Sequence, residues 1–152
     1  MRRFYPPFVT GPGAVGLLLV RLVMGTAFMF HGWFKIQSPG GALAWMGPEA
    51  PVPGVLQGLA VLAEFGGGLA LIVGLLTPLA ALGIAGTMIA ALAMVHLPHG
   101  DAFVGPPGKS SFELAAGYLA NAILFLLIGP GILSLDGLLF AKRRSETAPG
   151  PS

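Results

Sequence analysis

Two ionisable side chains of this 152-residue chain lie inside long apolar stretches, where charge is costly. Arg21 falls within the run 15–36, and Glu64 lies in the middle of a second run. An arginine at the centre of a membrane-spanning helix costs about 2.5–3.5 kcal/mol, so it should face a partner. Counted at the helical rise, both residues fall at similar heights. The spacing predicts a buried Arg21–Glu64 ion pair, which either lines a polar cavity or proton path or only fixes helix register.

A second group of polar residues falls near the opposite ends of the same stretches. His31 and Lys35 are four residues apart and share one helix face. His96 and Glu113 lie near the ends of two further apolar runs, so several helices direct polar groups into one half of a bundle. We predict a ligand cavity in this outer half, lined by His31, Lys35, Gln57, His96, Glu113, Tyr118 and Asn121.

Other chemistries have weaker support in these residues. The chain has no cysteine, which excludes disulfides, thiolate nucleophiles and cysteine-ligated metals. His31 and His96 lie on different helices at similar heights, as bis-histidine haem ligands do, but a second histidine pair is missing. We therefore do not favour a b-type haem. A zinc site at His96, His99 and Asp101 is not favoured either, and we predict no metal.

Composition identifies the elements that position these groups as membrane helices. Hydrophobic residues make up 55% of the chain and charged residues 9%, against about 25% charged residues in soluble domains. A soluble protein of this composition would lack the polar residues to cover its surface. The basic residues collect at the two chain ends, which follows the positive-inside rule and not a nucleic-acid patch. We predict a protein embedded in the lipid bilayer, without a nucleic-acid partner.

Four apolar runs predict an all-α integral membrane protein built as a four-helix transmembrane bundle. A fifth, short amphipathic helix is expected at the cytoplasmic surface, with its leucines on one face and Asp136 off that face. We divide the chain into a lead-in at 1–12, a membrane domain at 13–141 and a disordered cytoplasmic tail at 142–152. The predicted helices are 12–36, 54–76, 79–97, 112–128 and the interfacial 132–141.

The number of spans and the distribution of basic residues predict the orientation. An even number of spans puts both termini on one side of the membrane. Five basic residues belong to the two terminal segments, whereas Lys35 and Lys109 belong to the opposite side. Positive charge is enriched in cytoplasmic segments, so the asymmetry predicts cytoplasmic N- and C-termini.

Several short motifs occur in a recognisable order. His31-Gly32-x-x-Lys35 ends the first helix, and Glu64-x-Gly66-Gly67 lies in the second. Thr77-Pro78 follows, and Gly129-Pro130-Gly131-x-x-Ser134-Leu135-Asp136 comes after the fourth helix. In this order and spacing, residues 14–140 resemble the DoxX family of small bacterial membrane proteins.

The resemblance implies a multi-pass bundle in the bacterial inner membrane. The family is named for similarity to a membrane subunit of thiosulfate:quinone oxidoreductase, and some members are linked to oxidative-stress and sulfur-redox partners. We therefore expect a subunit of a quinone-linked oxidoreductase or redox-stress complex. The outer cavity would hold a quinone, a soluble or membrane redox partner would supply electrons, and Glu64 would relay protons. The alternatives are a non-enzymatic scaffold or assembly factor and, less favoured, a small-molecule carrier.

Overall fold

The computed structural model describes residues 7–141, and the regular elements of that range are helices. The first three long helices have the length and apolar character needed to cross a membrane, and the fourth is a shorter apolar helix. The expected all-helical architecture is thereby confirmed and is compatible with a membrane bundle, while the predictions for residues 1–6 and 142–152 lie outside the described residues. The helices are α1 (Pro12–Ile36), α2 (Gly54–Val73), α3 (Thr77–His99), α4 (Glu113–Ile128) and α5 (Leu135–Phe140).

The helix limits follow from local backbone chemistry. Pro12 opens α1, where its fixed φ suits a first helical turn. α2 ends three residues earlier than predicted, because Gly74 (φ 69°) and Leu76 (φ 51°) both adopt left-handed backbone conformations. Thr77 then starts α3, with a proline in its first turn. The turn between α2 and α3 is therefore short, and these two helices are antiparallel neighbours.

The bundle has two ends that differ in construction. At the end we call the turn end, the α2–α3 turn meets the segments 7–11 and 129–141. Ile132 N–H donates to the Val9 carbonyl (2.9 Å), and Asp136 N–H donates to the Gly74 carbonyl (2.8 Å). The opposite end, which we call the loop end, carries the connections 37–53 and 100–112.

Small residues allow α1 and α2 to approach closely. A Cβ atom placed on Gly68 would lie 2.6 Å from both the Gly25 carbonyl oxygen and the Met29 nitrogen. A Cβ atom on Gly32 would lie 2.5 Å from the Phe65 nitrogen. No larger side chain fits at these positions without moving the backbone, which is typical of close helix packing in membranes.

Apolar side chains occupy both the interior and the outer surface. Phe28 and Phe125 are fully buried in the core, whereas Leu127 on the outside is 68% exposed. Contiguous exposed apolar surface of this kind suits lipid and not water. In α5, Leu138 is largely exposed while Asp136 is fully buried, so the leucines point away from the bundle and the carboxylate points into it.

Candidate functional site

Arg21 is held at the turn end by backbone carbonyl groups. Its Nη1 donates to the Pro130 carbonyl (3.0 Å) and its Nη2 to the Leu133 carbonyl (2.8 Å). The structure corrects the predicted direct ion pair between Arg21 and Glu64. Both residues are buried, but among residues 7–141 Glu64 forms its ion pair with Lys35.

The axial offset between α1 and α2 explains why Arg21 does not reach Glu64. The prediction placed the ends of α1 and α2 at equal heights. In the structure, a Cβ atom on Gly74, just beyond α2, would lie 2.6 Å from Nη1 of Arg21. Arg21 is therefore level with the end of α2, and Glu64 lies ten residues, about 15 Å, further along that helix. Residues 12–20 of α1 extend beyond this level.

Asp136 also belongs to the turn end, although nothing in the sequence indicated this role. Its Oδ1 accepts from Leu76 N–H (2.8 Å) and its Oδ2 from Thr77 N–H (2.9 Å), so the carboxylate caps the start of α3. Its negative charge also stabilises the Arg21 guanidinium. We call Arg21, Leu76, Thr77 and Asp136 the turn-end lock. It joins α1, the α2–α3 turn and α5, so its contacts serve the fold.

The second buried charge pair lies towards the loop end. Both carboxylate oxygens of Glu64 lie 2.6 Å from Nζ of Lys35, and the Lys35 ammonium sits 4.2 Å from the centre of the Trp45 ring. The Glu64 side chain is 5% exposed and that of Lys35 is 20% exposed. The pair is thus largely desolvated, and the ammonium gains a cation–π contact.

Glu64 occupies an irregular part of α2. Residues Leu62–Gly66 form a π-helical turn, and a second such turn at Leu92–His96 lies in α3. A π-helical turn inserts one extra residue per turn and occurs often at functional sites. The sequence offered no signal for either turn. One π-helical turn lies in α2, which contains Glu64, and the other lies in α3. Both turns border the space between α2 and α3.

That space is a cavity of about 870 Å³ between α2 and α3, which we call the α2–α3 groove. Leu56, Leu59 and Leu79 on its rim are exposed on the outside of the bundle, so it opens towards the surrounding lipid. Most of its wall is glycine, alanine and aliphatic side chains. The lining residues with polar side chains are Lys35, Trp45, Gln57, Glu64 and Thr87.

Gln57 fastens the loop 37–53 over the loop end of the groove. Its Oε1 accepts from Met46 N–H (3.0 Å), its Nε2 donates to the Val52 carbonyl (2.9 Å), and its own carbonyl accepts from Trp45 Nε1 (3.4 Å). Gln57 is buried, and both polar atoms of its side chain are occupied. Its role in the described structure is to position Trp45 and the loop.

The structure does not gather the seven predicted cavity residues in one place. Lys35 and Gln57 line the α2–α3 groove, and the other five do not. His31 packs near the rings of Phe28 and Tyr118. The remaining three are separate: Glu113 is exposed at the start of α4, Asn121 donates to a carbonyl of its own helix, and His96, near the end of α3, contacts Asp101 of the 100–112 loop.

His96 helps to close that loop. Its Nδ1 lies 2.7 Å from Oδ2 of Asp101, and the Ser110 hydroxyl donates to Oδ1 of the same carboxylate. The bonds from Ser110 and His96 hold the pKa of Asp101 below its usual range. His99 instead contacts the Val95 carbonyl. Within residues 7–141 no three metal-ligating side chains come together, so the zinc candidates do not form one site.

Comparison with known proteins locates the chain among its relatives. The DoxX family model matches residues 16–97, which include both walls of the groove and both members of the Lys35–Glu64 pair. The inner membrane protein YqjF of Escherichia coli (strain K12) is 34% identical over 128 residues, a match that covers 84% of this chain and 95% of that protein. No solved structure matches the chain.

Proposed function

This chain belongs to the DoxX family and is a multi-pass protein of the bacterial inner membrane, and from that premise we propose that it is the membrane subunit of a quinone-linked oxidoreductase or redox-stress complex. The observation that carries the proposal is the Lys35–Glu64 pair, which lies in the wall of an apolar groove open to lipid. A quinone would place its chain along the groove and its ring beside this pair.

The chemistry of the groove suits such a ligand. An ammonium group has three N–H donors, and Glu64 and the Trp45 ring face only part of the Lys35 ammonium. A remaining donor can reach a quinone carbonyl, and a hydrogen bond from a charged donor contributes about 1.5–3 kcal/mol. The aliphatic wall takes up the apolar chain.

Electrons and protons must come from different sources. Reduction of a quinone to a quinol takes up two electrons and two protons. The chain has no cysteine, and the proposal assigns electron delivery to a soluble or membrane redox partner. Glu64 is the acidic residue beside the proposed ring position and would pass protons to it. The cavity first expected at His31, His96, Glu113, Tyr118 and Asn121 is replaced in this proposal by the groove at Lys35 and Gln57.

Two glycines provide a test with a matched control. A Cβ atom would meet open space at Gly86, in the groove wall, and equally at Gly117, on α4 outside the groove. Leucine has a higher helix propensity than glycine, so neither substitution should destabilise its helix. Gly86→Leu fills the groove and should weaken binding of a quinone analogue to purified protein by about tenfold or more, roughly 1.4 kcal/mol. Gly117→Leu should leave binding unchanged.

The same binding experiment can refute the proposal. Equal affinity of wild type and Gly86→Leu would place any quinone elsewhere. A wild-type protein that binds no quinone analogue, either in detergent or in lipid nanodiscs, would favour the second candidate function, a non-enzymatic scaffold. The turn-end lock supports that alternative, because its bonds connect segments of the chain to each other.

A further inference from the structure

We infer that the Lys35–Glu64 pair sets the head-group specificity of the α2–α3 groove, so that the groove accepts amphiphiles with an uncharged polar head and rejects those with a charged head. The inference rests on the proposed function in so far as the groove holds a ligand, but it does not require the ligand to be a quinone. It identifies Lys35 and Glu64 as residues that determine specificity by their mutual charge balance.

The charged side chains in the lining of the groove balance each other. Among residues 7–141, the charged side chains that line it are Lys35 and Glu64, one of each sign. The lock residue Arg21 is 14 positions from Lys35 along α1, about 21 Å away. The groove therefore has no net charge of its own to balance a charged ligand, and its wall is otherwise apolar.

The two charged groups of the pair lie close together. Nζ of Lys35 lies 2.6 Å from both carboxylate oxygens of Glu64. An anion hydrogen-bonded to Lys35 at a usual 2.7–2.9 Å would lie within about 5–6 Å of the Glu64 carboxylate. At about 5–6 Å the Glu64 carboxylate repels the anion and cancels about half of its attraction to the Lys35 ammonium, and a cation hydrogen-bonded to Glu64 loses the same share to Lys35.

A neutral head group can form a hydrogen bond with the pair and leave the net charge of the groove unchanged. A carbonyl or hydroxyl group accepts a hydrogen bond from Lys35, or donates one to Glu64, without adding charge to the site. A charged lipid head would in addition lose its hydration on entering. A phospholipid head contains a charged phosphate, so it loses more hydration on entering the groove than an uncharged head group does.

The experiment compares four probes with the same decyl chain. Decylubiquinone and decanol are neutral, decanoate is an anion and decylamine is a cation. Binding is measured for the full chain in nanodiscs at neutral pH. For wild type we expect the tighter of the two neutral probes to bind about tenfold or more better than either charged probe. In Glu64→Gln the lone Lys35 charge should shift the preference to decanoate, and in Lys35→Gln it should shift to decylamine.

Two further variants serve as controls. The exchange Lys35→Glu with Glu64→Lys keeps the pair neutral and should keep the neutral preference, which also covers the case in which a single variant fails to fold. Lys109→Gln removes a loop lysine outside the groove and should change nothing. An unchanged preference in both single variants, or charged probes bound by wild type as tightly as neutral ones, overturns the inference. If only the exchange variant folds, the inference is overturned when that variant binds decanoate or decylamine as tightly as decylubiquinone.

The outcomes also separate this inference from the proposed function. Binding of decanol but not decylubiquinone by wild type, with the expected charge shifts in the variants, would keep the specificity rule and remove the quinone. Binding of decylubiquinone with an unchanged preference in both Glu64→Gln and Lys35→Gln would keep the quinone and remove the rule.

Discussion

Replacing Arg21 by methionine should destabilise the bundle by about 3–5 kcal/mol, because it removes one partner of a buried charged assembly. The Pro130 and Leu133 carbonyls would each lose their guanidinium donor, and an unpaired buried acceptor costs about 1–3 kcal/mol. Methionine is long and flexible enough to fill the space, so the loss reflects the polar contacts more than a cavity.

The coupling of this change to a second one decides which residue is the partner. Asp136→Asn keeps one acceptor for the α3 start but loses the other and the negative charge, at a cost of about 1.5–3 kcal/mol. In the double variant the Arg21–Asp136 interaction is lost only once, so its cost should fall below the sum of the two single costs by about 1–2 kcal/mol.

The matched comparison is the Arg21→Met, Glu64→Gln cycle. Arg21 lies level with the end of α2, about 15 Å from Glu64, and the two residues share no described partner, so their effects should add within about 0.3–0.5 kcal/mol. The free energy of unfolding of each variant is measured by reversible denaturation in mild detergent. A coupling above about 1 kcal/mol between Arg21 and Glu64, with none between Arg21 and Asp136, would refute this account of the turn-end lock.

Three further predictions concern the turn, the orientation and the loop. Gly74→Ala should lose stability by at least about 1–2 kcal/mol in thermal unfolding, since φ is +69° and the Cβ meets the lock, whereas Gly86→Ala should gain up to about 1 kcal/mol. With cytoplasmic termini, a reporter inserted in the loop 37–53 should be active outside the cell and one at the C-terminus inside; the reverse pattern inverts the map. The Ser110 hydroxyl and the His96 ring lower the pKa of Asp101 in the folded protein. The Asp101 carboxylate therefore stabilises the loop above its unfolded pKa of about 3.9, and this stabilisation is lost as the pH falls through the lower folded pKa. Hydrogen exchange in the loop 100–112 should accelerate in that acid range, and Asp101→Asn should abolish the acceleration; acceleration that persists in the variant contradicts the assignment.

The helices could be predicted from sequence because each limit has a local cause. Proline and glycine mark the starts and ends, and apolar length marks the spans. The end of α2 was placed three residues late because Leu76, which is not a residue that favours the left-handed region, adopts it there. Its conformation is held by the Asp136 carboxylate, a contact across 60 positions that no local pattern contains.

The partners of the buried charges could not be predicted, because helical periodicity fixes the direction of a side chain around its axis but not the axial offset between helices. That offset is set where Gly25 meets Gly68 and where Gly74 meets Arg21. The sequence identifies Lys35 as a candidate, but groups it with His31 by their shared helix face and with Glu113 by height. The π-helical turn at Glu64 adds a local shift that has no sequence signature, and it contributes to the same error.

Three charged residues of the long helices, Arg21, Lys35 and Glu64, illustrate two ways in which a membrane protein accommodates charge. Arg21 is 1% exposed and its bonds go to backbone carbonyls of the same chain, so it stabilises one arrangement of segments and faces no open space. Lys35 and Glu64 neutralise each other but remain in the wall of a groove that lipid-soluble molecules can enter. An intramembrane charge is a functional candidate by default. Here the surroundings of each charge separate the two cases. Arg21 is enclosed by its own chain, whereas the Lys35–Glu64 pair lies in the wall of the groove. The pair is therefore the functional candidate of the two.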